Sequence, residues 1–135
     1  MRHKLQSSKL GRSPEHRAAA IASIVCALIE RKRIETTHAK AKQARSLAEK
    51  LVTIGKKGSL AARRRAISVL HREEYVAMLL KDVVPQFTGR NGGYTRILKL
   101  GKRRSDSSEM VLLEWVGIAP PERKKKPKDN KQNKE

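Results

Sequence analysis

Aromatic residues and cysteine are scarce in this 135-residue chain. Only Tyr75, Phe87, Tyr94 and Trp115 are aromatic, and the apolar fraction is 38%, which predicts a lean core. The single cysteine, Cys26, excludes an intrachain disulfide and favours a reducing compartment. No apolar run approaches the roughly 20 residues that a transmembrane helix needs, and no signal-peptide core follows the N-terminus. We therefore expect one domain of modest size in a cytosolic or organelle-matrix protein.

Acidic residues are also few, and the charge is strongly positive. The chain has 32 Lys and Arg against 13 Asp and Glu, a formal net charge of +19. Residues 120–135 hold seven of the basic and three of the acidic side chains, or +4, so residues 1–119 retain +15. The positive charges of a compact domain repel one another. Nucleic acid is the polyanion that most often neutralises such a basic protein. An acidic membrane surface is disfavoured because the first amphipathic helix carries no aromatic residue on its apolar stripe.

Apolar periodicity predicts four helices. The first begins at Ser13-Pro14-Glu15, which supply an N-cap hydroxyl, a proline at the first helical position and an acid in the first turn. Its apolar stripe includes Ile21, Val25 and Leu28, and it ends at residues 31–33. The other helices are predicted at about residues 38–54, 60–70 and 72–84, with Thr37 and Ser59 as N-caps of the second and third and Pro85 ending the fourth.

Three short strands complete the predicted domain, over residues 34–37, 95–100 and 110–116. The order α-β-α-α-α-β-β predicts an α+β fold in two layers, with the helices packed on a small three-stranded sheet. A basic hairpin loop, residues 101–109, joins the last two strands. We expect an extended basic arm over residues 1–12, a single RNA-binding domain over residues 13–117, and a basic tail over residues 118–135 that is disordered unless bound.

Signals of catalysis are missing. His3, His16, His38 and His71 are scattered, and none has metal-ligand spacing with Cys26. Neither a G-x-S-x-G nor a phosphate-binding G-x-x-x-x-G-K-[ST] segment is present. Most of the acids lie within a few residues of a Lys or Arg, which favours surface pairing. The sequence therefore predicts no enzyme activity, no cofactor, no metal and no small-molecule substrate.

Three basic segments are candidates for nucleic-acid contact. The arm can thread between nucleic-acid segments, or it can be a frayed terminus. Arg63-Arg64-Arg65 spans about 200° of a helix, so its guanidinium groups can bind phosphate or form a solvated face. In the loop over residues 90–96, two glycines permit close backbone approach, and Tyr94 can stack on a base or be a core tyrosine.

A fourth segment, residues 55–58, is a weak match to the G-x-x-G clamp of KH domains, since helices often end in glycine. The complete set of predicted RNA-binding residues is Arg2, His3, Lys4, Lys9, Arg12, Arg17, Lys40, Lys42, Arg45, Arg63, Arg64, Arg65, Arg90, Tyr94 and Arg96.

Several segments together resemble one family. Met1-Arg2-His3, residues 33–42 (RIETTHAKAK) with Arg45, and residues 92–99 (GGYTRILK) occur in order and at fitting spacing over residues 1–117. They are similar to the bacterial-type large-subunit ribosomal protein family number seventeen. The tail after Gly117 lies beyond the family's usual end.

The resemblance implies a non-catalytic component of the cytoplasmic ribosome. It further implies that the protein binds large-subunit ribosomal RNA near the outer end of the nascent-peptide exit tunnel, with other large-subunit proteins as neighbours. Binding is expected to come from phosphate neutralisation and counterion release, with the folded shape of the RNA giving specificity. One alternative stays open, a free nucleic-acid-binding regulator or nucleoid protein that meets duplex DNA. An RNA-modifying enzyme would need a cofactor pocket, and no segment of this chain builds one.

Overall fold

Four helices pack on one face of a three-stranded antiparallel sheet within residues 8–121, the part of the chain that the computed structural model describes. This confirms the predicted α+β class and the order α-β-α-α-α-β-β. The helices are α1 (Pro14–Arg31), α2 (His38–Gly55), α3 (Leu60–Leu70) and α4 (Glu73–Met78), and the strands are β1 (Arg33–Thr37), β2 (Thr95–Lys102) and β3 (Glu109–Trp115).

The predicted caps of α1 and α3 are confirmed. The hydroxyl of Ser13 accepts a hydrogen bond from the His16 N–H at 3.4 Å, and that of Ser59 accepts from the Ala62 N–H at 3.1 Å. Each bond satisfies a backbone donor that the first helical turn leaves free. Lys32 ends α1 with φ of 64°, and its N–H donates to the Leu28 carbonyl at 2.9 Å.

Thr37 precedes α2, but its side chain does not cap it. Thr37 is still part of β1, where it pairs with Met110 of β3. The strand therefore runs directly into the helix, and the predicted hydroxyl cap is wrong.

Pro85 does not end the fourth helix as predicted. After Met78 the chain widens into a π-helical turn over Leu79–Val83, and the Val84 N–H donates to the Leu79 carbonyl. A 3-10 turn over Val84–Phe87 follows, with Pro85 near its start. A proline is tolerated there because the N–H groups of the first helical turn have no acceptor within the helix, so the N–H that proline lacks breaks no hydrogen bond. The helical segment consequently continues to Phe87.

The last strand in the sequence is the central strand of the sheet, whose order is β1-β3-β2. Leu113 lies opposite Ile34 of β1 and opposite Ile97 of β2, and a bulge between Lys99 and Gly101 interrupts the second pairing. Successive side chains alternate between the two faces of a strand. Val111, Leu113 and Trp115 are buried and face the helices.

Trp115 anchors the sheet to α1, because its indole N–H donates to the Leu28 carbonyl at 3.1 Å. Phe87 packs beside it, with ring centroids 6.1 Å apart. Leu10 and Ile118, which lie outside the predicted domain of residues 13–117, also pack against this core.

Within residues 8–121, no helix combines the length and hydrophobicity that crossing a bilayer demands.

Candidate nucleic-acid interface

An open groove of about 1430 Å³ lies between α2, α3 and the glycine loop (residues 90–94). Ser46, Lys50, Thr53 and Lys57 line it from the α2 side. Their spacing of three or four residues places them on one face of the helix, away from the buried alanines at 41, 44 and 48. The other walls come from α3, including Ala61, Arg64, Arg65 and Ser68, and from the loop residues Gly92 and Tyr94.

The groove is basic at its rim and apolar at its floor. Lys50, Lys57, Arg64 and Arg65 line it together with a single carboxylate, Glu49. Small apolar side chains, including Ile54, Ala62 and Val69, line the remainder. Guanidinium and ammonium groups bind phosphate, while an apolar floor accommodates the faces of bases or riboses.

Lys56 fastens the glycine loop to the end of α2. Its ammonium donates to the Arg90 carbonyl and lies 4.9 Å from the centroid of the Tyr94 ring. Arg90 stays exposed, and its Nε donates to the Gly92 carbonyl at 3.2 Å. The backbone of Gly92 and Gly93 has φ of 105° and 61°, which favours glycine. The two predicted basic segments, the loop and α3, therefore meet at one groove.

Tyr94 is a core tyrosine, the second of the two interpretations that the sequence left open. The residue is only 4% exposed, and its ring centroid lies 5.1 Å from that of Phe87. Its face is therefore not available for stacking on a base. The nearby Lys56 ammonium lowers the pKa of the Tyr94 hydroxyl, and the neighbouring Thr53 side chain and Gly92 backbone act in the same direction. Tyr94 thus contributes to the groove through its polar edge.

The three consecutive arginines of α3 separate into two groups. Arg64 and Arg65 line the groove, while Arg63 donates to Glu73 of α4 at 2.7 Å. All three are exposed, as the helical spacing requires. Arg63 therefore connects two helices, and Arg64 and Arg65 remain as the groove pair.

Arg96 lies on the opposite face of the sheet from the helices, away from the groove. Arg96 of β2 and Arg33 of β1 are the cross-strand neighbours of Glu114 in β3. The Arg33 Nε lies 2.5 Å from the buried Glu114 carboxylate, which also accepts from Arg96. Burial alone would raise the pKa of Glu114, but the hydrogen bonds from Arg96 and Arg33 outweigh it and lower the pKa. This triad joins all three strands.

The other predicted contacts are spread over the surface. Arg45 is exposed on α2, where it donates to Glu49 at 3.3 Å. Lys40 is half-buried and Lys42 is exposed near the start of the same helix, and Arg17 is half-buried near the start of α1. None of these four is among the residues that line the groove.

The structure differs from an extended arm at residues 9–12. The Arg12 N–H donates to the Lys9 carbonyl at 3.2 Å, and the Arg12 Nη1 donates to the Leu10 carbonyl at 2.8 Å. These bonds form a turn, and the Leu10 side chain within it packs on the core. Arg2, His3 and Lys4 lie outside the described residues, as do residues 122–135 of the tail.

Sequence reasoning missed Lys50, Lys56 and Lys57. Residues 46, 50, 53 and 57 repeat at helical spacing opposite the alanine stripe, which is the signal that could have found the groove face.

The G-x-x-G match at residues 55–58 has a different explanation. Gly55 is buried in α2, where a Cβ would lie 2.7 Å from Val84 Cγ2, and Gly58 has φ of 62° just past the helix end. Both glycines therefore serve helix packing and termination.

Comparisons with known proteins agree with the resemblance. The family model of ribosomal protein L17 matches residues 20–116. A large ribosomal subunit protein bL17 from Methylacidiphilum infernorum is 48% identical over 126 residues, which are 93% of this chain and 96% of that protein. A bL17 from Thermodesulfovibrio yellowstonii is 43% identical over 133 residues, which are 98% of this chain and 100% of that protein.

These matches cover α1 through β3, including every element that forms the groove. Both relatives are bacterial proteins of the large ribosomal subunit, which confirms the predicted family, the absence of a catalytic role and the place in the cytoplasmic ribosome. The chain belongs to the ribosomal protein L17 family and is a structural constituent of the large ribosomal subunit.

Proposed function

We propose that the protein binds large-subunit ribosomal RNA through the basic groove between α2, α3 and the glycine loop. The observation that carries this proposal is the convergence on one opening of Lys50 from α2, Lys57 from the turn after it, and Arg64 and Arg65 from α3. Glu49, the only acid that lines the groove within the described part of the chain, already accepts hydrogen bonds from Arg45 and Thr95. The cations at the rim are therefore available to phosphates.

Phosphate contacts give a binding free energy that depends on salt. Each phosphate that the protein neutralises releases condensed counterions, and the slope of log K against log salt changes by about 0.7 to 0.9 per contact. A shaped groove adds selectivity for folded RNA, because proteins recognise RNA largely through shape and unpaired segments. The predicted cations that do not line the groove act as auxiliary contacts, namely Lys9, Arg12, Arg17, Lys40, Lys42, Arg45, Arg63, Arg90 and Arg96. Arg2, His3 and Lys4 are proposed as further contacts.

The test compares two double variants that remove the same charge. Arg64→Ala/Arg65→Ala alters the groove, whereas Arg31→Ala/Lys81→Ala removes two exposed cations that do not line it. Affinity for large-subunit ribosomal RNA is measured over a salt series by fluorescence anisotropy. The groove variant should lose about 1.4 to 1.8 units of slope, and the control variant much less. Equal losses would refute the groove as the contact.

A free nucleoid protein, the alternative that the sequence left open, is disfavoured by membership of the ribosomal protein L17 family. The two are separated by sedimentation of cell extracts, because a ribosomal constituent migrates with large subunits at near one copy each. A nucleoid protein would instead leave the ribosomal fractions after moderate salt washing and follow DNA.

The protein is further proposed to lie near the outer end of the exit tunnel, with other large-subunit proteins as neighbours. The family resemblance supports this location. Chemical cross-linking of assembled subunits followed by mass spectrometry tests it, and cross-links confined to proteins remote from the tunnel would contradict it.

A further inference from the structure

Glu49 is the one groove residue that does not suit phosphate binding. Among the described residues, it is the sole carboxylate that lines an opening surrounded by four cations. A negative charge at this point repels phosphate and weakens purely electrostatic binding. If the groove bound only the RNA backbone, an uncharged residue at position 49 would give it a higher affinity for phosphate.

The Glu49 carboxylate is held in a fixed orientation. Oε1 accepts from the Arg45 Nε at 3.3 Å and from the Thr95 hydroxyl at 3.0 Å. Thr95 is only 3% exposed and lies at the start of β2, so the bond ties the helix to the sheet. Both hydrogen bonds end on Oε1, which leaves Oε2 without a hydrogen-bond donor among residues 8–121. The side chain is partly exposed toward the groove.

An unpartnered carboxylate oxygen accepts hydrogen bonds from amino groups. Among nucleic-acid bases, the cytosine N4 amino group is a recognised partner of Glu and Asp. Uracil carries a carbonyl oxygen at the equivalent position, which repels a carboxylate. These edges are free only when the base is unpaired, and unpaired bases are the usual targets of sequence-specific RNA recognition.

The dimensions of the groove favour such a ligand. Its volume of about 1430 Å³ exceeds the roughly 300–1,000 Å³ of small-molecule pockets, so it fits a segment of chain. Ile54, Ala62 and Val69 supply apolar surface for a base, and Arg64 and Arg65 supply phosphate partners at the rim. A duplex, whose bases are already stacked and paired, would leave that apolar surface unused.

We propose that the groove binds an unpaired segment of RNA and that Glu49 Oε2 selects a base with an amino group, cytosine over uracil. This inference rests on the proposed function of the groove. In it, Arg64 and Arg65 supply affinity, Glu49 supplies selectivity, and Arg45 and Thr95 are positioning residues that fix the carboxylate.

The experiment compares the affinities of the full chain for single-stranded oligo(C) and oligo(U) of equal length at one salt concentration. The wild-type protein should favour oligo(C) by about fivefold or more, the discrimination of a good base contact. Glu49→Ala should bring the ratio near one while tightening oligo(U) binding, since a repulsive charge is lost. Glu30→Ala removes an exposed acid of α1 outside the groove and should leave the ratio unchanged.

Glu49→Gln gives the sharper outcome. Because Oε1 accepts from Arg45 and Thr95, the amide oxygen should take its place and the amide NH₂ should take that of Oε2. An acceptor then becomes a donor, and the preference should shift toward oligo(U). A Glu49 whose role is only structural would lower the melting temperature of Glu49→Ala without moving the base ratio.

Failure of this inference is distinguishable from failure of the proposed function. If wild-type protein bound oligo(C) and oligo(U) equally while Arg64→Ala/Arg65→Ala still weakened both, base selection by Glu49 would be wrong and the groove would stand as a phosphate site. If the arginine variant bound both as tightly as the wild type did, the groove itself would be refuted.

Discussion

Replacing Gly55 with alanine would place a methyl group 2.7 Å from Val84 Cγ2 and 3.1 Å from Leu80 Cδ2. Carbon atoms pack best at about 3.5–4.0 Å, so the closer contact is about 1 Å too short. Val84 is β-branched and held in the helical segment after α4, and it cannot turn its methyl group away freely. Overpacking of this kind costs about 1–3 kcal/mol.

The gain in helix propensity opposes this cost, because alanine is about 1 kcal/mol more favourable than glycine inside a helix. Gly55→Ala should therefore lower the free energy of unfolding by about 1 kcal/mol. For a domain of this size that corresponds to a fall of about 4 °C in melting temperature. Urea titration and thermal unfolding, both followed by circular dichroism, measure these quantities.

A double-mutant cycle with Val84→Ala isolates the contact. Once Cγ2 is removed, the remaining tight approach is the one of 3.1 Å to Leu80 Cδ2, the end of a flexible side chain that can shift. Gly55→Ala should then become stabilising by less than about 1 kcal/mol, through its gain in helix propensity. Gly58→Ala is the control, because its added Cβ meets no atom of the described residues within 4 Å. The left-handed backbone at this position should lower the free energy of unfolding of this variant by about 1 kcal/mol. Its effect should be the same with and without Val84→Ala. If Gly55→Ala stabilised the wild-type protein outright, the close packing of α2 on the Val84 segment would be wrong.

Two further predictions concern buried ionisable groups. The pKa of Glu114 is lowered in the folded state, so its contribution to stability is present above the ordinary value of about 4.5 and is lost as the pH falls below it. Urea titrations should show that Glu114→Gln lowers the free energy of unfolding near neutral pH and reduces its fall at acid pH. An unchanged fall at acid pH would contradict the ion pairs of the buried Glu114 carboxylate with Arg33 and Arg96. Burial raises the pKa of the Cys26 thiol, so iodoacetamide should label Cys26 slowly in the native protein at mildly alkaline pH and rapidly in urea. Equal labelling rates would contradict its burial.

Local signals in the sequence were sufficient for most of the elements. Ser13-Pro14-Glu15 and Ser59 mark helix starts through hydrogen bonds made within one turn, and the structure has those bonds. The end of the fourth helix was mispredicted because a π turn over Leu79–Val83 changes the backbone register before Pro85. No local pattern encodes that turn.

The candidate site was harder to predict, because side chains a few residues apart have different surroundings. Arg63 pairs with Glu73 while its neighbours Arg64 and Arg65 line the groove, and only the placement of α4 decides between these roles. Phe87 packs against the Tyr94 ring, and nothing in the sequence around Phe87 indicates that contact. Lys50 lies on α2 and Lys57 in the turn after it, on a face that becomes a wall of the groove only when α3 packs beside it.

The position of β3 in the middle of the sheet determines the order in which the fold can be completed. Within the described ranges, neither β1 nor β2 pairs with a strand other than β3, so β1 stays unpaired until residues 109–115 have been synthesised. Pairing across so many intervening residues makes the sheet a late and slow step of folding. A nascent chain that stopped before Glu109 would lack the entire sheet, and the apolar faces of α1 and α2 would be left open to aggregation.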